Sequence, residues 1–189
     1  MSGSDDDRFI IHHHFLDSLS CLLSSVISPQ SRLLDMGTGA GFPGIPLKIY
    51  HPDLHLTLVD AVSKKIMFLR HLGRSLCLDH TEYVATRLPS RSASTQLPPL
   101  AKAQFDVIVS RAVGTVPFLI DLAYPLLMSN GYLVLQRGKQ GMQEREEFQN
   151  LFRQYGLQTI SLTEVPFSFL THPRYLLVLR LLEKRCSQK

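Results

Sequence analysis

The stretch Leu34-Asp35-Met36-Gly37-Thr38-Gly39-Ala40-Gly41-Phe42-Pro43-Gly44 constrains the fold more than any other part of the chain. A short strand, Arg32-Leu33-Leu34-Asp35-Met36, runs into glycines at alternate positions, and a helix is expected over Pro43 to His51. Glycine lets a backbone turn tightly and come close to a ligand. Proline is tolerated in a first helical turn, where the free N–H groups face whatever lies above. Gly39-x-Gly41-x-x-Gly44 matches the dinucleotide fingerprint literally. The turn therefore leaves NAD(P) and S-adenosylmethionine both open, along with a tight turn that binds nothing.

The rest of the chain repeats this alternation. Strands are expected at His55–Asp60, Thr81–Thr86, Phe105–Ser110 and Tyr132–Gln136, with helices at Ser63–Leu78, Val116–Met128 and Gln143–Tyr155. Ile66, Met67, Leu69, Leu72 and Leu76 are expected to line one side of the Ser63–Leu78 helix, and Asn130-Gly131 to turn into the strand Tyr132–Gln136. Arg87 to Gln104, rich in Pro, Ser and Ala, is expected to be mostly loop. Thr159–Val165 and Tyr175–Leu182 have no helix between them and suit an antiparallel pair. The pattern is that of a Rossmann-like α/β sheet, mostly parallel with an antiparallel last strand and helices on both faces. Ahead of it, residues 1–8 are expected to be a disordered leader and 9–28 an N-terminal helix, leaving 29–189 as one α/β domain.

Composition narrows the class. The chain has 189 residues, 44% hydrophobic and 19% charged, enough for one ordinary core and unlike a disordered or fibrous protein. Its apolar runs, such as Tyr175 to Leu179, are far shorter than the roughly 18–20 residues that span a bilayer, so no membrane partner is expected. Three scattered cysteines form no Cys-x-x-Cys pair, which points to a reducing cytoplasm. His12-His13-His14 point in different directions on a helix and lack a carboxylate or thiolate to complete a ligand set, so no metal is expected. The net charge of +4 falls outside residues 1–34, which hold two basic and four acidic side chains, and it permits a polyanionic partner without demanding one.

Single residues then stand out. Asp60 ends the second strand about 20 residues after the turn, where an acid accepts hydrogen bonds from ribose hydroxyls. Asp35 suits either a cationic ligand group such as a sulfonium or a cap on the glycine turn. Arg111 lies at the carboxyl edge of the sheet, either as a ligand contact or as a solvated loop cation. Lys64 and Lys65 open a helix against its dipole and serve either as a solvated face or as phosphate contacts.

With these residues in hand, the chain resembles a known family. His14-Phe15-Leu16-Asp17-Ser18-Leu19, the turn extended as Gly41-Phe42-Pro43-Gly44-Ile45-Pro46-Leu47, Thr57-Leu58-Val59-Asp60, Lys64-Lys65 with Phe68-Leu69, and Phe105-Asp106-Val107-Ile108-Val109-Ser110-Arg111-Ala112-Val113 look like the small-subunit ribosomal RNA guanine-N7 methyltransferases, the RsmG or GidB family. The resemblance implies a class I fold that uses S-adenosylmethionine and acts on 16S rRNA or the small ribosomal subunit, as a monomer. It places Asp35, Gly37, Gly39, Gly41, Phe42, Asp60, Ala61, Leu88 and Arg111 around the donor. It makes His14, Lys64, Lys65, Arg137 and Lys139 candidates for RNA contact. Arg137-Gly138, followed by Lys139, stands where the family has Lys-Gly, and Pro89 stands where it has an acid.

Guanine N7 has an in-plane lone pair and no proton, so its methylation needs no general base. Catalysis then rests on positioning, which contributes roughly 7–11 kcal/mol, and on exclusion of water. Arg111 and Lys139 are expected to act only by positioning. The competing readings are a non-catalytic RNA-binding or ribosome-assembly factor on the same fold and an NAD(P)-dependent oxidoreductase.

Overall fold

Runs such as Val107–Val109 and Leu176–Leu179 are apolar on both faces of an extended chain, as strands covered by helices on both sides require. The computed structural model describes residues 3–87, 100, 104–170 and 172–183. It forms one seven-stranded sheet from β1 (Arg32–Met36), β2 (His55–Asp60), β3 (Thr81–Ala85), β4 (Phe105–Arg111), β5 (Leu127–Arg137), β6 (Leu157–Glu164) and β7 (Tyr175–Leu181). The order is β3-β2-β1-β4-β5-β7-β6. Neighbours from β3 through β5 are parallel. Only β7 is reversed; it lies between β5 and β6 and pairs antiparallel with both.

Helices follow the strands as expected, with shifted ends: α3 (Gly44–Tyr50), α4 (Ser63–Ser75), α5 (Val116–Ala123), α6 (Gly141–Glu147) and α7 (Gln149–Gln154). One core packs α5 and α7, through Leu119, Ile120 and Phe152, onto the sheet residues Ile108, Leu133 and Leu177. The other packs α3 and α4, through Leu47, Ile66 and Leu69, onto Leu33, Leu56 and Val134. Lys48 is buried on α3, and its ammonium donates to the carbonyls of Pro52 and Leu54, joining the helix to the start of β2.

Four expectations change. Helix is present from Gly3: α1 (Gly3–Ile10) occupies most of the stretch expected to be a disordered leader. The expected single helix over 9–28 is instead a ridge of changing pitch, from α1 into a π-helical turn (Ile11–Leu16), α2 (Asp17–Leu19) and a 3₁₀ turn (Ser20–Ser24). The helix expected over 116–128 stops at Ala123: Tyr124 is still helical in φ and ψ, but Pro125 has no N–H with which to continue the helical hydrogen bonds. Leu127 to Gly131 instead belong to β5, which absorbs Asn130 at φ +65° alongside a shift of register against β4. Met67 of α4 and Leu76 just after it face solvent, whereas Ile66, Leu69 and Gly73 face the core.

Candidate active site

β1 and β4 are neighbours, yet the chain leaves β1 towards β2 on one side and leaves β4 towards β5 on the other. Connections that diverge in this way open a crevice at the carboxyl ends of the strands. A cavity of about 900 Å³ lies there, with the glycine turn, Asp60-Ala61 and the Arg111–Gly114 segment among its walls. The N-terminal ridge adds Ile10 and His14.

The turn has the backbone the sequence calls for. Gly37 sits at φ +77°, and a Cβ there would lie 2.5 Å from Val113 Cγ2, so only glycine lets β1 and the segment after β4 close on each other. Gly39 N–H donates to Asp60 Oδ2 at 3.0 Å, Val62 N–H donates to Oδ1 at 2.8 Å, and the Lys65 ammonium lies 3.5 Å from Oδ2. These contacts fix a nearly buried carboxylate on the cavity wall. An ionised carboxylate accepts about four hydrogen bonds, which leaves capacity for a ligand's hydroxyls.

Two residues expected at the donor lie elsewhere. Asp35 is fully buried beneath the turn, where Oδ2 accepts from Thr38 Oγ1 at 2.7 Å and from Gly44 N–H at 2.8 Å. It is the cap of the turn and does not line the cavity. Burial raises its pKa to about 6, against the opposing pull of the Thr38 and Gly44 hydrogen bonds. Gly41, at φ +99°, packs away from the cavity: a Cβ there would meet Ile45 Cγ1 at 2.6 Å and Leu69 Cδ2 at 2.9 Å. Its role is to let α3 and α4 close against the turn. Leu88, expected beside an adenine, and Pro89 lie outside the described residues.

At the opposite wall, Arg111 ends β4 with its side chain largely covered. Its Nη1 donates to Asp17 Oδ2 at 3.1 Å and to the His13 carbonyl at 3.3 Å, and Nη2 lies 3.3 Å from His14 Nδ1. The guanidinium also stands 5.2 Å from the centre of the Phe42 ring, on which His14 stacks at 5.3 Å and 27°. Burial and the charge of Arg111 lower the His14 pKa, so this imidazole is neutral at pH 7.

The remaining cations separate into different settings. Lys65 joins Asp60 at the cavity, while Lys64 is exposed on α4 and does not line it. Arg137 is nearly covered and gives its guanidinium to Glu144, with Nε donating to Oε2 at 2.8 Å, and to the Gly114 carbonyl at 3.3 Å. This residue, expected as an RNA contact, thus braces the cavity segment from behind. Lys139 is exposed and lines a separate cleft, away from the donor cavity.

Sequence reasoning missed the role of Asp17. This carboxylate, 1% exposed, takes Arg111 on one oxygen and Arg174 Nε on the other at 3.1 Å. Its carbonyl accepts from Gln136 Nε2 at 2.7 Å. The only sequence signal was its place in His14-x-x-Asp17-Ser18-Leu19, because its partners come from positions 94 and 157 residues away.

The fold alone matches the N-methyltransferase NodS from Bradyrhizobium japonicum WM9, with a TM-score of 0.62 at 21% identity over 95% of this chain and 99% of that one. Sheet order with the reversed β7, the switch-point cavity, the glycine turn and the acid ending β2 are together those of the class I methyltransferase fold. The profile of the GidB family, rRNA small subunit methyltransferase G, matches residues 2–168, and the chain belongs to that family. It is similar to the ribosomal RNA small subunit methyltransferase G of Alkaliphilus metalliredigens, 34% identical over 91% of this chain and 71% of the relative. The protein of the same description from Geotalea uraniireducens is 39% identical over 92% of this chain and 75% of that one. These likenesses do not favour the dinucleotide reading of Gly39-x-Gly41-x-x-Gly44, and Gly41 faces away from the cavity.

Proposed function

We propose that the chain transfers a methyl group from S-adenosylmethionine to N7 of a guanine in 16S rRNA. The observation that carries this reading is the single cavity with a polar end at Asp60 and a planar, cationic end at His14, Phe42 and Arg111. Asp60 accepts the ribose hydroxyls, while Gly37 and Gly39 bring backbone close to the rest of the donor. When bound, S-adenosylmethionine supplies an electrophilic methyl on a sulfonium.

Phe42 and neutral His14 offer flat faces to a purine, and Arg111 donates to guanine O6, which leaves the N7 lone pair free to attack the methyl. Removing a proton is unnecessary, so this chemistry calls for no carboxylate dyad. Asp35 contributes indirectly by holding the turn in shape. All these groups come from one chain, and the reading is of a monomer that needs no metal and works in the cytoplasm, where its substrate is.

Calorimetry with S-adenosylmethionine, S-adenosylhomocysteine and NADH in parallel, followed by methyl transfer to isolated small subunits, tests the proposal. Binding of the two sulfur ligands alone, with label appearing on guanine N7, is the expected result. Arg111→Ala should lower transfer about 100-fold, the scale of a misplaced reactant, while the circular dichroism spectrum is retained. Unchanged turnover in that variant would remove Arg111 from the site. Donor binding without any transfer would favour a non-catalytic RNA-binding or assembly factor.

A further inference from the structure

The π-helical turn Ile11–Leu16 separates two recesses. His14 lines the donor cavity, and the residue before it, His13, lines a second cleft with Gly138, Lys139, Leu170, His172 and Arg174. The charged groups of this cleft are Lys139 and Arg174, and no carboxylate is among its described lining residues. Behind it, Asp17 accepts from Arg174 Nε and so offsets one guanidinium. Among the described residues Arg174 uses only that N–H, and a guanidinium carries five donors. Lys139 is exposed and makes no ion pair within 4.0 Å among the described residues.

The spacing between the two recesses is fixed from within. Asp17 Oδ2 holds Arg111 in the donor cavity, and Oδ1 of the same carboxylate holds Arg174 in the cleft, both at 3.1 Å. Stacked rings brace the wall: His12 on Phe169 at 4.5 Å and Phe169 on Phe167 at 5.0 Å, with His13 edge-on to Phe169 at 6.3 Å. A lysine and an anchored arginine fork without a competing acid suit a phosphodiester, the first as a point charge and the second as a paired donor.

We propose that the cleft between His13, Lys139, His172 and Arg174 binds a backbone phosphate of the RNA strand whose target base enters the donor cavity. Asp17 then acts as a positioning residue that sets the distance between base and phosphate. This rests on the reading that the substrate is small-subunit rRNA.

The test compares wild type with Lys139→Glu, Lys139→Arg and Arg174→Lys. Its readouts are methyl transfer to isolated small subunits and to protein-free 16S rRNA, RNA affinity across a salt series, and donor affinity by calorimetry. Lys139→Glu should raise KM for RNA about tenfold, the worth of one lost charge-assisted bond. It should also reduce the slope of log affinity against log salt by about one, while kcat and donor affinity stay within roughly twofold. Lys139→Arg should restore both RNA readouts. Arg174→Lys should raise KM through loss of the fork while retaining the charge.

Unchanged KM and salt slope in Lys139→Glu would overturn the subsite while leaving the proposed activity intact. A parallel loss of donor affinity would also overturn it, by placing Lys139 at the donor. Failure of the wild-type chain to methylate either RNA, with donor bound, would overturn the activity and the subsite together.

Discussion

Asp35 has no contact with the cavity, yet it sets the shape of the turn that does. Its carboxyl is raised from 3.8 to about 6 by burial, so the folded chain binds more protons than the unfolded chain between those values. Stability from this group is therefore fully present below pH 3.8 and is lost as pH rises through about 6. Asp35→Asn keeps an oxygen for Thr38 and Gly44 but cannot ionise. Urea unfolding between pH 4 and 7 should show the advantage of wild type over Asp35→Asn shrinking as pH rises; a difference that grows or stays flat would contradict the assignment. Sequence alone left two roles open for this residue because a carboxylate before a glycine turn serves equally above the turn or beneath it. Only the positions of Thr38 and Gly44 decide, and these depend on how the turn folds back. Asp60, by contrast, was legible, because the end of a strand fixes which way its last side chain and the next turn must go.

At the scale of elements, the N-terminal ridge is a wall of the site, and Asp17 ties it to three strands or strand ends while Cys21 and Leu22 pack into the core. That carboxylate pairs with β4 through Arg111 and with the start of β7 through Arg174, and its carbonyl meets Gln136 of β5. Removing one partner of a buried ionic network leaves charges uncompensated and costs about 3–5 kcal/mol. Asp17→Ala should destabilise the chain by about 3 kcal/mol in chemical denaturation and weaken donor binding as Ile10 and His14 shift. A loss below about 1 kcal/mol, typical of an exposed pair, would show that the ridge is held by packing instead. The strands were legible from their apolar runs, whereas several helix ends were not. Leu126, Leu127 and Met128 continue a helical spacing beyond Pro125, and periodicity cannot tell that a proline has already stopped the helix. The change of pitch through His12, His13 and His14 has no local signature either, because it is tertiary: the histidines are placed by Phe9, Phe42 and Phe169.

For the molecule as a whole, the cavity joins three pieces of chain that are far apart in sequence: the ridge, the turn after β1 with the end of β2, and the segment after β4. A donor that spans them binds only the assembled fold, and its binding energy adds to global stability. At a concentration about 100 times its dissociation constant, S-adenosylhomocysteine should raise the unfolding free energy by about 2.7 kcal/mol, read as a higher urea midpoint with an unchanged slope. A smaller rise accompanied by a changed slope would mean that the ridge unfolds separately from the sheet. Overall topology was largely readable in advance, including the reversed strand, because a missing crossover helix leaves few other ways to close the sheet.

The reversed strand also imposes an order on synthesis. β6 is made before β7, yet every strand hydrogen bond β6 makes is with β7, and β5 likewise waits for β7 on its outer edge. As the chain emerges N-terminus first, the parallel half can assemble while two open edges persist until residues 175–181 appear. Release of those few residues from the ribosome exit is thus the event that closes the sheet, and a truncation that removes them leaves a nascent chain with two adhesive borders and no means of sealing them.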